Sequence, residues 1–248
     1  AIMMLSCLLV SVYYHEDDIL AFLITIAVTV LAAIGLKYKG YNAENSMGRR
    51  EAYLLVTLIW IIFSAIGALP FVISGYLTSF TDAFFETMSG FTTTGATIID
   101  DVEALPHGLL FWRSLTHWIG GLGIMFFTIA ILPSLVGGSV KVFSAEATGP
   151  IKSKLHPRLS TTAKWIWAIY LILTAGCAAC FYLFGMNIFD SINHSMSITA
   201  TGGFSTHNAS LSFFDSAAID YTAAIFMILS GINFSLLYIL LFKGKVKD

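Results

Sequence analysis

Apolar residues fall along this chain in long blocks separated by short polar connections, and the blocks predict its elements. They run from Ala1 to Tyr14, Ile19 to Leu36, Tyr53 to Tyr76, Leu109 to Val136, Trp165 to Phe184 and Ala217 to Phe242. Most approach the roughly 20 residues a helix needs to cross a bilayer, so the pattern predicts six spans. The first is short and begins without an initiator Met, a basic start or a cleavage site. It therefore reads as a span shortened at its N-terminus rather than as a signal peptide.

Composition agrees with a bilayer as the solvent. Of 248 residues, 57% are hydrophobic and 11% charged, and the mean hydropathy is +0.81, far from the globular average. The net charge of −2 conceals an asymmetry. Lys37, Lys39, Arg49 and Arg50 follow the second block; Lys141, Lys152, Lys154, Arg158 and Lys164 lie between the fourth and fifth; Lys243, Lys245 and Lys247 follow the sixth. The alternate connections carry Glu16, Asp17, Asp18, Asp82, Glu86, Asp100, Asp101, Glu103, Asp190, Asp215 and Asp220. Basic residues stay on the cytoplasmic side of short loops, so both termini are expected inside and an acidic, cation-attracting face outside.

A repeat sharpens this picture. Asp82, Met88, Ser89, Thr93, Gly95 and Thr97 recur 108 positions on as Asp190, Met196, Ser197, Thr201, Gly203 and Ser205. Each copy lies between two spans of matching direction, so the repeating unit is helix, re-entrant loop, helix. The stretches Asp82 to Phe91 and Asp190 to Thr199 are too short to span but long enough for two to three helical turns, each opening on an Asp suited to cap a helix and meet its positive end. Thr93, Thr94, Gly95 and Ala96 follow the first, and Thr201, Gly202, Gly203 and Phe204 the second. Irregular backbone at membrane depth must line a cavity or be buried in protein. Its carbonyls can then replace a cation's hydration shell, with glycine turning consecutive oxygens to one side. Thr-x-Gly recurs in both loops as a reduced echo of the Thr-Val-Gly-Tyr-Gly potassium filter, so the expected potassium ligands are the backbone carbonyls of Thr93, Thr94, Gly95, Thr201, Gly202 and Gly203. With one repeated glycine per loop, modest selectivity is expected. The organisation read from the chain is two N-terminal helices (1–40), a first repeat (50–136), a cytoplasmic linker (137–164) and a second repeat (165–243).

The remaining polar groups suggest no enzyme. His117 has no His partner at helical spacing, no H-E-x-x-H is present, and no Ser or Cys stands in a recognised nucleophile motif. Cys177 and Cys180 read as small packing residues. The Gly120-Gly-Leu-Gly123 and Gly137-Gly138 runs lack the strand–helix context of a phosphate loop and read as close helix packing. Arg113 is expected to pair with Asp100 or Asp101 near the outer surface, Glu86 and His194 to make outward-facing hydrogen bonds, and Trp60, Trp112, Trp118, Trp165 and Trp167 mostly to anchor span ends.

Met88-Ser-Gly-Phe-Thr-Thr-Thr-Gly-Ala-Thr97, Trp112-Arg-Ser-Leu-Thr-His-Trp-Ile-Gly-Gly-Leu-Gly-Ile124 with Ala130-Ile-Leu-Pro133, and the linker pieces Glu146 to Pro150 and His156 to Lys164 resemble the Trk/Ktr/HKT superfamily of potassium transporters. The likeness is to its TrkH-type bacterial subunits. It implies an all-α membrane protein with two N-terminal transmembrane helices followed by two helix–pore loop–helix repeats, half of a pseudo-fourfold potassium-channel-like pore. It further implies a homodimer in lipid in the inner (plasma) membrane, a cytosolic nucleotide-binding regulatory subunit, no nucleic-acid partner and no organic cofactor. Two repeats fall short of that family's four, so the chain is expected to be a fragment. A non-conducting truncated scaffold and a sodium/potassium-permeable transporter remain the alternatives.

Overall fold

The computed structural model describes residues 1–41, 49–130 and 159–232. Most of the expected linker, the tail lysines Lys243, Lys245 and Lys247, Gly137-Gly138 and the end of the last span lie outside the described residues. Among the described residues every element is helical: α1 (Ile2–Tyr14), α2 (Ile19–Lys39), α3 (Arg49–Gly67), α4 (Leu69–Ile73), α5 (Phe80–Phe91), α6 (His107–Ala130), α7 (Leu159–Leu183), α8 (Ile188–Thr199) and α9 (Ala217–Gly231), with 3₁₀ turns at Val102–Ala104 and Ser210–Phe214. Ile19–Lys39 and Lys164–Leu183 have mean hydropathies of 2.8 and 2.0 and are long enough to cross a membrane.

The span expected over Tyr53 to Tyr76 is broken. Pro70 has no N–H to give, so α3 ends at Gly67 and the short α4 continues from Ala68, whose carbonyl accepts from Val72 N at 3.2 Å. The pore helices start earlier than the aspartates. Ser79 caps α5 by accepting from Asp82 N, and Asn187 caps α8 by accepting from Asp190 N at 2.8 Å. Both caps obey the 108-residue repeat. Asp82 and Asp190 sit inside the first turn, where a negative charge still meets the positive end of the helix.

Polarity is inverted relative to a water-soluble fold. Leu20, Leu23, Leu31, Ile34 and Leu36 on α2 and Tyr221, Ile225 and Ile228 on α9 are exposed, whereas Ser11, Asp18, Thr25, Glu86, Arg113, His117, Asn193 and His194 are buried. Lipid accepts the first group, and all of the second but Asp18 find hydrogen-bond partners inside the protein.

Helix α6 holds the assembly together, contacting α1, its own pore helix α5, and both α7 and α8 of the second repeat. Its glycines make these approaches possible. A Cβ on Gly120 would strike the carbonyl of Phe91, one on Gly121 the hydroxyl of Tyr170 and the backbone of Ala200, and one on Gly123 the ring of Trp60. Phe91 ends α5 and Ala200 caps α8, so two adjacent positions of α6 receive the ends of both short helices. Two of the tryptophans expected to anchor span ends, Trp112 and Trp118, bond to the interior instead. Trp112 is 3% exposed and donates to Gly67 O at 2.9 Å, and Trp118 donates to Thr174 Oγ1 at 3.0 Å while Tyr170 donates to its carbonyl. Indole N–H groups away from water need such acceptors.

Candidate functional site

The two short helices expected beside a pore, α5 and α8, end in the same turn. After α5, Thr93 N donates to Gly90 O at 3.0 Å and Thr94 N to Ser89 O at 2.9 Å; after α8, Thr201 N donates to Ile198 O and Gly202 N to Ser197 O, each at 2.9 Å. These are the paired bonds of a Schellman C-cap, which requires a left-handed residue usually supplied by glycine. Here threonine supplies it, with φ 54° at both Thr93 and Thr201. A β-branched residue at positive φ is a strained choice, and strain repeated at two equivalent points marks a constrained site. Gly95 and Gly203 follow at φ 76° and 109°.

The two loops meet. A Cβ on Gly95 would overlap the carbonyl oxygen of Gly202. Thr94, Ala96, Thr201 and Gly203 face open space on the exposed side, whereas Phe204 is buried with its side chain turned into the protein.

Behind the loops lies a polar layer that also follows the repeat. Glu86 accepts from the Thr97 hydroxyl at 3.0 Å and from Ile98 N at 3.0 Å, and at the matching position Ser205 Oγ lies 2.9 Å from His194 Nε2. Ile99 N and His207 N donate to the Thr97 and Ser205 hydroxyls at 3.1 and 3.0 Å. Neither Glu86 nor His194 faces outward as expected; they are 1% and 3% exposed. Arg113 does not reach Asp100 or Asp101. Its Nε donates to Glu86 at 2.8 Å, Nη1 to Ser205 O at 3.0 Å and Nη2 to Thr97 Oγ1 at 3.3 Å, and its guanidinium lies 4.3 Å over the Phe204 ring. The charge cannot be left unpaired at this depth, so the nearest internal carboxylate takes it. Sequence reasoning missed this pairing because Glu86 and Arg113 are far apart in the chain and Glu86 counted among outer acids.

Further out, the segments after the loops are laced together. Asn208 accepts from Val102 N and donates to Asp101, both at 2.8 Å, and His207 lies 3.2 Å from Glu103 and 3.1 Å from Asp190. Burial acts to raise the Asp190 carboxyl, but hydrogen bonds from Thr206 and His207 outweigh it and hold it below the usual carboxylate range. Of the expected acidic outer face, Glu86, Asp18 and Asp190 are therefore internal.

Residues 18–248 match the family described as "TrkH: Cation transport protein". The chain belongs to the TrkH family. It is an all-α membrane protein, and membership of a cation-transport family removes the enzyme alternative. It is 42% identical over 241 residues to "Trk system potassium uptake protein TrkH" of Escherichia coli K12, covering 96% of this chain and 50% of that protein. It is 38% identical over 246 residues to "Trk system potassium uptake protein TrkG" of the same strain, covering 98% of this chain and 51% of that protein. Among solved structures it superposes on the crystal structure of the potassium transporter TrkH from Vibrio parahaemolyticus with a TM-score of 0.83 and 36% identity, covering 98% of this chain and 49% of that one. The chain spans about half the length of the curated relatives it matches.

Proposed function

We propose that this chain supplies two of the four loop segments of a potassium uptake pore in the plasma membrane, with the backbone carbonyls of Thr93, Thr94, Gly95, Thr201, Gly202 and Gly203 replacing water around the ion. Ala96 and Phe204 close the two segments. One observation carries this reading: equivalent loops of two repeats, each leaving its pore helix through a strained threonine, come together at Gly95 and Gly202 with their open side free. Oxygen-only, main-chain ligation suits a large monovalent cation that must be bound weakly enough to leave again. The pore helices aim their carbonyl ends at the same loops, so their dipoles favour a cation there.

The relatives' names support potassium as the transported ion. Basic residues after α2 and acidic residues between α1 and α2 support cytoplasmic termini. A homodimer and a cytosolic nucleotide-binding regulator complete the proposed assembly. The test is rubidium uptake by the full-length protein carrying Gly95→Ser or Gly203→Ser. A clear loss is expected; uptake at the unaltered level in either variant refutes the filter.

A further inference from the structure

On a helix, positions i and i+4 stand on one face, and α6 uses such a pair to reach into the neighbouring repeat. The Phe204 ring lies 4.3 Å below the Arg113 guanidinium and stacks on His117 with centroids 4.0 Å apart and planes 15° from parallel. The Phe204 ring is therefore in contact with both groups. Ser205 O accepts from Arg113 at 3.0 Å. One residue deeper, Ser197 Oγ accepts from Gly203 N at 3.0 Å and lies 3.1 Å from His117 Nδ1, to which its own proton can be given. Gly202 has no room for a side chain because a Cβ would enter the His117 ring. Each residue from Gly202 to Ser205 is thus located by Arg113 or His117, directly or through Ser197. In the first loop Thr97 and Ile98 are held by Glu86 of their own repeat, as Ser205 is by His194, and Arg113 reaches Thr97 as well.

We infer that Arg113 and His117 are positioning residues for ion discrimination, fixing the carbonyls of the second loop from the helix that follows the first. This rests on the filter reading above. Carbonyl ligands discriminate between cations only while their spacing is maintained, and a loop located by its neighbour keeps its distance from that neighbour. Lysine in place of Arg113 keeps a charge but cannot serve Glu86, Ser205 and Thr97 with one planar fork. Phenylalanine in place of His117 keeps the stack on Phe204 but removes the acceptor for the Ser197 proton.

The experiment compares ⁸⁶Rb⁺ and ²²Na⁺ flux through the full-length protein in proteoliposomes for wild type, Arg113→Lys, His117→Phe and Gly203→Ser. The rubidium-to-sodium ratio is expected to fall roughly three- to tenfold in Arg113→Lys and His117→Phe, the factor one hydrogen bond is worth. A structural role alone changes yield or total flux and leaves the ratio in place. If Gly203→Ser changes the ratio and His117→Phe does not, the inference is overturned while the filter stands, even where Arg113→Lys does not assemble. If Gly203→Ser leaves both fluxes unchanged, the filter reading itself fails.

Discussion

The carbonyl oxygen of Gly202 occupies the space where a side chain on Gly95 would stand, so the two loops approach backbone to backbone. Gly203 differs: a Cβ there meets nothing, although its φ of 109° is as foreign to L-residues as the 76° of Gly95. Both alanine variants carry backbone strain of about 1–3 kcal/mol, but only Gly95→Ala also pushes against the opposite loop. Gly95→Ala should therefore abolish rubidium uptake in the full-length protein while Gly203→Ala retains part of it. Equal losses would contradict the asymmetry.

Thr93 and Thr201 occupy a left-handed position that glycine fills at no steric cost, and an L-residue there carries about 1–2 kcal/mol. Thr201 is also exposed, so its removal forfeits little packing. Thr201→Gly should raise thermal stability in detergent by up to about 1 kcal/mol, allowing for the larger entropy of unfolded glycine. It should lower rubidium uptake if the hydroxyl lines the path. A destabilised variant with normal uptake would mean that the strain has no part in transport.

Asp18 lies in the connection between α1 and α2, where both its carboxylate oxygens are buried without a hydrogen-bond partner among the described residues. Burial pushes its carboxyl above the usual range, outweighing the nearby Ser11 hydroxyl, which acts to lower it, and the neighbouring Glu16 charge adds to the rise. A carboxyl raised in the folded state favours folding while protonated, and that contribution fades as pH rises through the raised value. Asp18→Asn should therefore melt higher than wild type at neutral pH, the gap opening as pH climbs from about 4, the ordinary carboxylate value. A gap that widens toward acid would reverse the sign and reject the assignment.

Gly120 and Gly35 form a matched pair on two helices. A methyl group on Gly120 meets the Phe91 carbonyl at the end of α5, whereas one on Gly35 of α2 meets nothing. Gly120→Ala should cost about 1–3 kcal/mol as overpacking, and Gly35→Ala should add about 0.5–1 kcal/mol through helix propensity. Melting temperatures of the two variants decide it, and a stable Gly120→Ala would remove the close approach of α6 to the first pore helix.

Periodicity and the 108-residue repeat carried the helical class and the two equivalent short helices with the turns that follow them, because hydrophobic length and self-similarity are local properties written along the chain. The run Gly120 to Gly123 read as close helix packing, as it is, whereas the Tyr53 to Tyr76 block is broken at Pro70 and the caps are Ser79 and Asn187 rather than the aspartates. Pairing was not legible. Glu86 with Arg113, Phe204 against Arg113 and His117, and Gly95 against Gly202 join residues from different helices or repeats. Which partner a buried charge takes depends on the side chains that the packing of α5, α6 and α8 brings within reach, and only the folded arrangement decides that.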